Sequence, residues 1–262
     1  LARREVGNCR PWSLAREVSC PLYGLRLLGH DTRLAVLELL FVRHGQPAWA
    51  DEGKPQMDPG ITPRGVDQAE RAASRLARRG AREVISSDAR RAVETARPIA
   101  ERIGCEHHVV PELTELRLPD WSHLSLDEVA REFRKARERE PAAWWEGLPG
   151  GESFRVFANR IQRALDSVLG ARGVRRVEGE EAPLWGFERD IGRVVIVGHG
   201  GTNSVAAGLL LGIPPVPWEW ERTHLNHAAF LRLTSVPLGR GNIFSLRASN
   251  DCEHLPPDLR TA

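Results

Sequence analysis

The chain has 262 residues, 41% of them hydrophobic, and a formal net charge of +2 at neutral pH. That length supports one well-buried domain of α/β size, and the near-balance of charge implies no polyanion partner on charge alone. Cys9, Cys20, Cys105 and Cys252 are scattered and form no CxxC pair, which argues against a zinc site and against a disulfide framework.

No run approaches the roughly 20 apolar residues of a membrane span. Arg3 and Arg4 are followed by Glu5 and Glu17 with no apolar stretch, so no secretory signal is read. The expected setting is soluble, reducing and cytoplasmic, with neither nucleic acid nor membrane as a partner. Residues 1–34 lack sustained periodicity and read as a poorly ordered extension. A catalytic domain is expected over 35–250, followed by a tail over 251–262.

The first strand is expected over 35–42, followed by a Pro-, Gly- and Asp-rich loop over 46–63. Thr62-Pro63 caps a helix to Arg79, because Thr accepts a free first-turn N–H and Pro suits the first helical position. A short strand over 83–86 precedes a helix capped by Ser87 or Asp88 and reaching Ile103. A strand over 107–110 leads into a less regular stretch over 111–124. Ser125 with Glu128 forms a capping box for a charged helix to Glu140, and Trp144-Trp145 with Pro149-Gly150-Gly151 reads as a turn. Phe154, Phe157, Ile161, Leu165 and Val168 recur at helical spacing on a helix to Leu169. Residues 171–190 are polar and read as a surface loop. A strand over 193–197 runs into a helix to Leu211, which Pro214, Pro215 and Pro217 break. Closing strands are expected over 225–234 and 243–249. Strands alternating with helices predict an α/β fold, a three-layer α/β/α sandwich with a mostly parallel central sheet.

Two segments carry the chemistry. Leu39-Leu40-Phe41-Val42-Arg43-His44-Gly45 and Val194-Val195-Ile196-Val197-Gly198-His199-Gly200-Gly201 are apolar runs that stop at a histidine flanked by glycine. Such runs read as buried parallel strands, and ligands of open α/β sheets bind at strand carboxyl ends. If the two strands are neighbours, both imidazoles share one pocket. Arg90 and Arg91 both open a helix in Ser86-Ser87-Asp88-Ala89-Arg90-Arg91, and Glu115 follows the third strand. Arginine forks and helix amino termini suit a phosphate ester, and a neutral imidazole suits nucleophilic attack. All basic residues except Lys54 and Lys135 are arginines, so each arginine is argued by position. His107 with His108, and His224 with His227, find no third ligand for a metal and read as solvent-facing or hydrogen-bonded.

In this order the segments resemble the histidine phosphatase superfamily, which includes cofactor-dependent phosphoglycerate mutases and many phosphatases. The matching blocks are Arg43-His44-Gly45-Gln46, Ile61-Thr62-Pro63-Arg64-Gly65 with Gln68-Ala69, and Ser86-Ser87-Asp88 through Arg91-Ala92 and Thr95-Ala96. Gly151-Glu152-Ser153 and Gly198-His199-Gly200-Gly201-Thr202 complete the set. The resemblance implies that His44 is phosphorylated and that Arg43, Arg91 and His199 hold phosphoryl oxygens, with Gly45 and Gly200 at the phosphate. It implies that Glu115 protonates the leaving oxygen and later helps activate water. It matches Arg91 rather than Arg90. Pro119-Asp120-Trp121 departs from the usual Gly and Trp-Glu-Gly, which leaves Glu112 and Asp120 as rival acids. Ala50 after Trp49, where mutases often carry Asn, and Gln46 both favour a phosphatase-type member.

The expected activity is a metal-independent phosphomonoesterase with no cofactor and a small phosphorylated substrate. A phosphoglycerate-type mutase and a non-catalytic phospho-ligand binding protein are the alternatives. Substrate selection is expected from residues 48–58, 121–151 and the loop after Gly212.

Overall fold

The computed structural model describes residues 36–51, 53–179 and 181–262, so the expected extension over 1–34 lies outside the described residues. Its centre is β1 (Leu37–Arg43), which pairs in parallel with β8 (Gly192–Gly198) from Leu37 opposite Gly192 to Arg43 opposite Gly198. Both strands are apolar on both faces. Leu37, Leu39 and Phe41 join Val194 and Ile196 in one core cluster, while Leu40 and Val42 join Val195 and Val197 in a second. This is the side-chain alternation of a strand covered on both sides.

Helices α1 (Pro63–Arg78) and α2 (Arg90–Ile103) supply Ala72, Ala73, Leu76, Ala92, Ala96 and Ile99 to the second cluster. Their alanines bring the two helices close. Helices α4 (Phe154–Gly170) and α5 (Gly200–Leu211) supply Phe154, Phe157, Ile161, Leu165 and Val205 to the first. Burying one such side chain contributes about 1.5–3 kcal/mol. Helix α3 (Leu126–Arg137) has the expected capping box at Ser125 and Glu128 but no buried residue.

The sheet is mixed, not mostly parallel. Beside β8 lie β4 (Glu83–Ser86) and then β5 (His107–Val109), all parallel. On the other side of β1 stand β9 (Phe230–Leu238), β10 (Gly241–Asp251), β7 (Trp185–Phe187) and β6 (Val174–Arg176), all antiparallel. The last two correct the loop expected over 171–190. They are three-residue strands at and next to the sheet edge, anchored by buried Val174 and Trp185, and the Gly- and Glu-rich run between them conceals any periodicity. A two-stranded ribbon, β2 (Ala50–Asp51) with β3 (Lys54–Pro55), and the four-residue α6 (Glu219–Arg222) complete the elements, with Trp144-Trp145 inside a 3₁₀ turn. Residues beyond Asp251, expected as a tail, pack Leu255 and Leu259 against Ala228. Among the described residues no helix is long and apolar enough to cross a membrane.

Candidate active site

The register of β1 and β8 sets the two histidines side by side. Arg43 faces Gly198, the His44 amide donates to the Gly198 carbonyl at 2.9 Å, and the imidazole centroids of His44 and His199 stand 5.2 Å apart. Both rings are buried. Burial holds the His44 imidazole well below its ordinary pKa, and His199, Arg91 and Arg43 push it the same way. Burial dominates at His199 too, aided by Arg91 and Arg43. Both rings are therefore neutral at pH 7. His44 Nδ1 lies 2.8 Å from the Gly45 carbonyl, an acceptor only, so Nδ1 carries the proton and Nε2 keeps its lone pair.

The arginines close the same pocket. Arg43 Nη1 donates to the Leu225 carbonyl at 2.5 Å, which leaves its buried Nε unpartnered. Arg91 is buried, its guanidinium lies 5.0 Å from the Trp49 ring and 3.6 Å from Asp58, and its Nε is also unpartnered. Arg90, by contrast, points outward onto Glu94 at 2.7 Å. The first helical N–H of α2, at Arg90, is accepted by Asp58 at 3.0 Å, so neither Ser87 nor Asp88 serves as the expected cap. Gly200 opens α5, and a Cβ there would meet Arg43 Nε at 4.0 Å. Gly45 behaves differently from expectation. Its N–H is taken by Thr95 Oγ1 at 2.9 Å, and a Cβ would come within 2.6 Å of the Gly65 carbonyl oxygen. Close backbone packing requires this glycine, and its amide is already committed.

Of the three carboxylates considered, Glu115 is the one among the arginines. Its charge acts on both Arg43 and Arg91. It accepts from the Gly201 N–H at 2.8 Å and the Leu116 N–H at 3.0 Å. A side chain on Gly201 would collide with it, since a Cβ would sit 2.6 Å from Glu115 Oε1. Glu112 and Asp120 are exposed, and Asp120 is turned onto Ser122. The segment that bears Glu115 is held from behind by Arg160. This guanidinium donates to the carbonyls of Glu112, Thr114 and Glu115 at 2.7, 2.9 and 3.2 Å, and pairs with Glu152 at 2.6 Å. A cavity of about 300 Å³ opens beside Leu116 and Leu118, bordered by Phe133, Trp144, Pro217 and Trp220. Two of the three segments expected to select substrate contribute to it.

Sequence reasoning missed several participants. Ser87 Oγ lies 2.8 Å from His199 Nε2, leaving Nδ1 as the unpartnered nitrogen of that ring. His227, weighed in the sequence only beside His224, stands 5.7 Å from the His44 ring. Its orientation is set through a chain of hydrogen bonds. The Gln46 N–H fixes Gln68 Oε1 as an acceptor at 2.7 Å, so Gln68 Nε2 donates to the Leu259 carbonyl at 2.7 Å and to Thr261 Oγ1 at 2.9 Å. The Thr261 hydroxyl oxygen lies 2.9 Å from His227 Nδ1. Burial, with Arg43 adding to it, lowers His227 to about 3. The apolar strand ends offered no signal for either residue. Both depend on segments distant in sequence.

Residues 39–240 match the histidine phosphatase superfamily, branch 1. The chain is 31% identical over 190 residues to glucosyl-3-phosphoglycerate phosphatase of Mycolicibacterium vanbaalenii, covering 71% of this chain and 79% of that one. It is 30% identical over 182 residues to a probable phosphoglycerate mutase, GpmB, of Erwinia tasmaniensis, covering 68% and 77%. A solved mycobacterial glucosyl-3-phosphoglycerate phosphatase in complex with VO3 superposes with a TM-score of 0.62 at 29% identity, over 82% of this chain and 99% of that one. With most of its length matched by one family, the chain belongs to the histidine phosphatase superfamily.

Proposed function

We propose that the protein is a phosphomonoesterase working through a phosphohistidine on His44. One observation carries the reading: a buried, neutral imidazole anchored through Nδ1 on the Gly45 carbonyl, beside two arginines whose Nε atoms lack protein partners. In the first step His44 Nε2 forms the N–P bond as the ester P–O bond breaks, and Glu115 gives its proton to the departing oxygen. In the second, water attacks phosphorus and loses its proton to Glu115, and the N–P bond breaks to release phosphate. Arg43, Arg91 and His199 Nδ1–H neutralise charge on the phosphoryl oxygens throughout. Phosphoryl transfer needs chiefly this positioning and charge stabilisation.

Glu115 accepts two N–H groups, and the proton it donates is taken up from solvent when the substrate dianion binds and offsets the neighbouring guanidiniums. Phosphatase action is favoured over the mutase alternative by Ala50 beside Trp49, the aromatic that covers Arg91. The resemblance to glucosyl-3-phosphoglycerate phosphatases places a phosphorylated sugar acid first among substrates to assay. A panel of phosphomonoesters with free phosphate as the readout tests the reading. Release to water is expected, and His44→Ala abolishes it. Parent-level activity in His44→Ala, or return of the phosphoryl group only to a second substrate hydroxyl, would overturn it.

A further inference from the structure

A second cavity lies beside β9 and β10, on the face covered by α1. It is an open cleft of about 470 Å³ lined by Arg75 and Arg79 of α1, Arg232 of β9, Arg247 of β10, and Arg260. Arg232 stands opposite Leu40, and none of His44, His199, Arg43, Arg91 and Glu115 lines this cleft. The proposed phosphoryl pocket is therefore distinct from it.

Positive charge is in excess here. Arg79, Arg193 and Arg232 share the one carboxylate of Glu38, at 3.8, 3.0 and 3.4 Å. Arg75 takes Asp251 at 2.7 Å and Glu253 at 3.0 Å, the two acids of the rim. Arg260 donates Nε to the Leu255 carbonyl at 2.9 Å. Neither Arg260 nor Arg247 pairs with a carboxylate among the described residues. Arg232 Nε is buried and unpartnered.

The backbone is irregular where it borders the cavity. The β9–β10 register shifts between Leu246 and Ala248 and again between Ala248 and Asp251, and Asn250 has φ +50°. The first shift makes Arg247 the extra residue of a bulge, a device that re-aims side chains. Left-handed backbone at a non-glycine residue costs on the order of 1–3 kcal/mol and is concentrated at ligand clamps and other functional sites. The volume falls within the roughly 300–1,000 Å³ of small-molecule sites. No aromatic ring lines it, so it offers no platform for a nucleobase.

We propose that this cleft binds a compact polyanion bearing at least two phosphate groups, for which pyrophosphate is the simplest probe. Arginine forks on several elements can each take two oxygens of such an ion. The test is calorimetric titration of the full chain with pyrophosphate and with orthophosphate. Pyrophosphate should bind the parent and Arg91→Ala alike, and orthophosphate should bind the cleft at least about tenfold more weakly. The double variant Arg247→Ala/Arg260→Ala should lose about tenfold or more in pyrophosphate affinity while phosphomonoester turnover stays at the parent level. Arg247→Glu, a single change at an exposed position, repeats the test should the double variant melt early. Unchanged affinity in these variants, loss in Arg91→Ala instead, or binding of orthophosphate by Arg91→Ala as tight as that of pyrophosphate would overturn the proposal. Because turnover is measured separately, failure of the catalytic reading would leave this result standing.

Discussion

The floor of the proposed phosphoryl pocket and the segment bearing Glu115, the proposed acid, are built by different means. The floor hangs from two adjacent parallel strands, and the ladder itself aligns His44 with His199. Its polar atoms are left without protein partners at Arg43 Nε, Arg91 Nε and His199 Nδ1. The acid segment is irregular, and side-chain chemistry holds it: Arg160 takes three of its carbonyls while Glu152 balances the charge. A rigid floor therefore needs only strand register, whereas a loop-borne acid needs a buried ion pair to fix it. The two regions should fail differently.

After loss of His44 itself, removing the proposed acid gives the largest expected effect. Glu115→Gln should lower kcat for an ester with a poor leaving group by about 10²–10⁴-fold. It should matter far less for a leaving group that needs no proton. Proton uptake on binding a phosphate analogue, measured in a weakly buffered solution, should also vanish in this variant. Equal losses for both ester types would remove Glu115 from the acid role.

Loosening the clamp comes next. Glu152→Ala leaves Arg160 buried without its counter-ion, at a cost of about 3–5 kcal/mol in stability. A displaced acid should lower kcat by roughly 10–100-fold. The phosphoryl floor should be untouched, so inhibition by inorganic phosphate should be unchanged. A denaturant midpoint equal to the parent's, or loss of phosphate inhibition, would show that loop and floor are not independent.

The smallest effect concerns the floor's third imidazole. His227 titrates at about 3 when folded and near 6.5 when unfolded, with burial as the main cause and Arg43 adding to it. Below pH 6.5 the unfolded chain binds the extra proton, so this contribution to stability is complete above pH 6.5 and is lost as pH falls toward about 3. His254, at about 4 through burial, behaves likewise. His227→Gln should flatten the acid slope of the melting temperature between pH 6.5 and 4, by a few kcal/mol at most. An unchanged slope would contradict the assignment.

Much of the site could be read from residue order because its floor follows directly from local pattern. An apolar run ending in Arg43-His44-Gly45 and another ending in His199 can be buried strands with exposed carboxyl ends, and little else. The helix start offered both Arg90 and Arg91, and only the family resemblance singled out Arg91. Glu115 could not be separated from Glu112 and Asp120, because no periodicity governs residues 111–124 and only tertiary contact with the arginines distinguishes them. The roles of Arg160, Ser87 and Thr261 depend on partners dozens of residues away. In the sheet, β6 and β7 were hidden because three-residue strands carry too little pattern, whereas β9 and β10 were expected as strands but not in their antiparallel direction.

The most direct test is to quench a reaction with ³²P-labelled phosphomonoester within milliseconds and map the labelled peptide. The account predicts one acid-labile, base-stable phosphoryl group on the peptide containing His44, absent from His44→Ala and accumulating in Glu115→Gln with an activated ester. Label on the His199 or His227 peptide, or turnover with no labelled protein at any quench time, would contradict it.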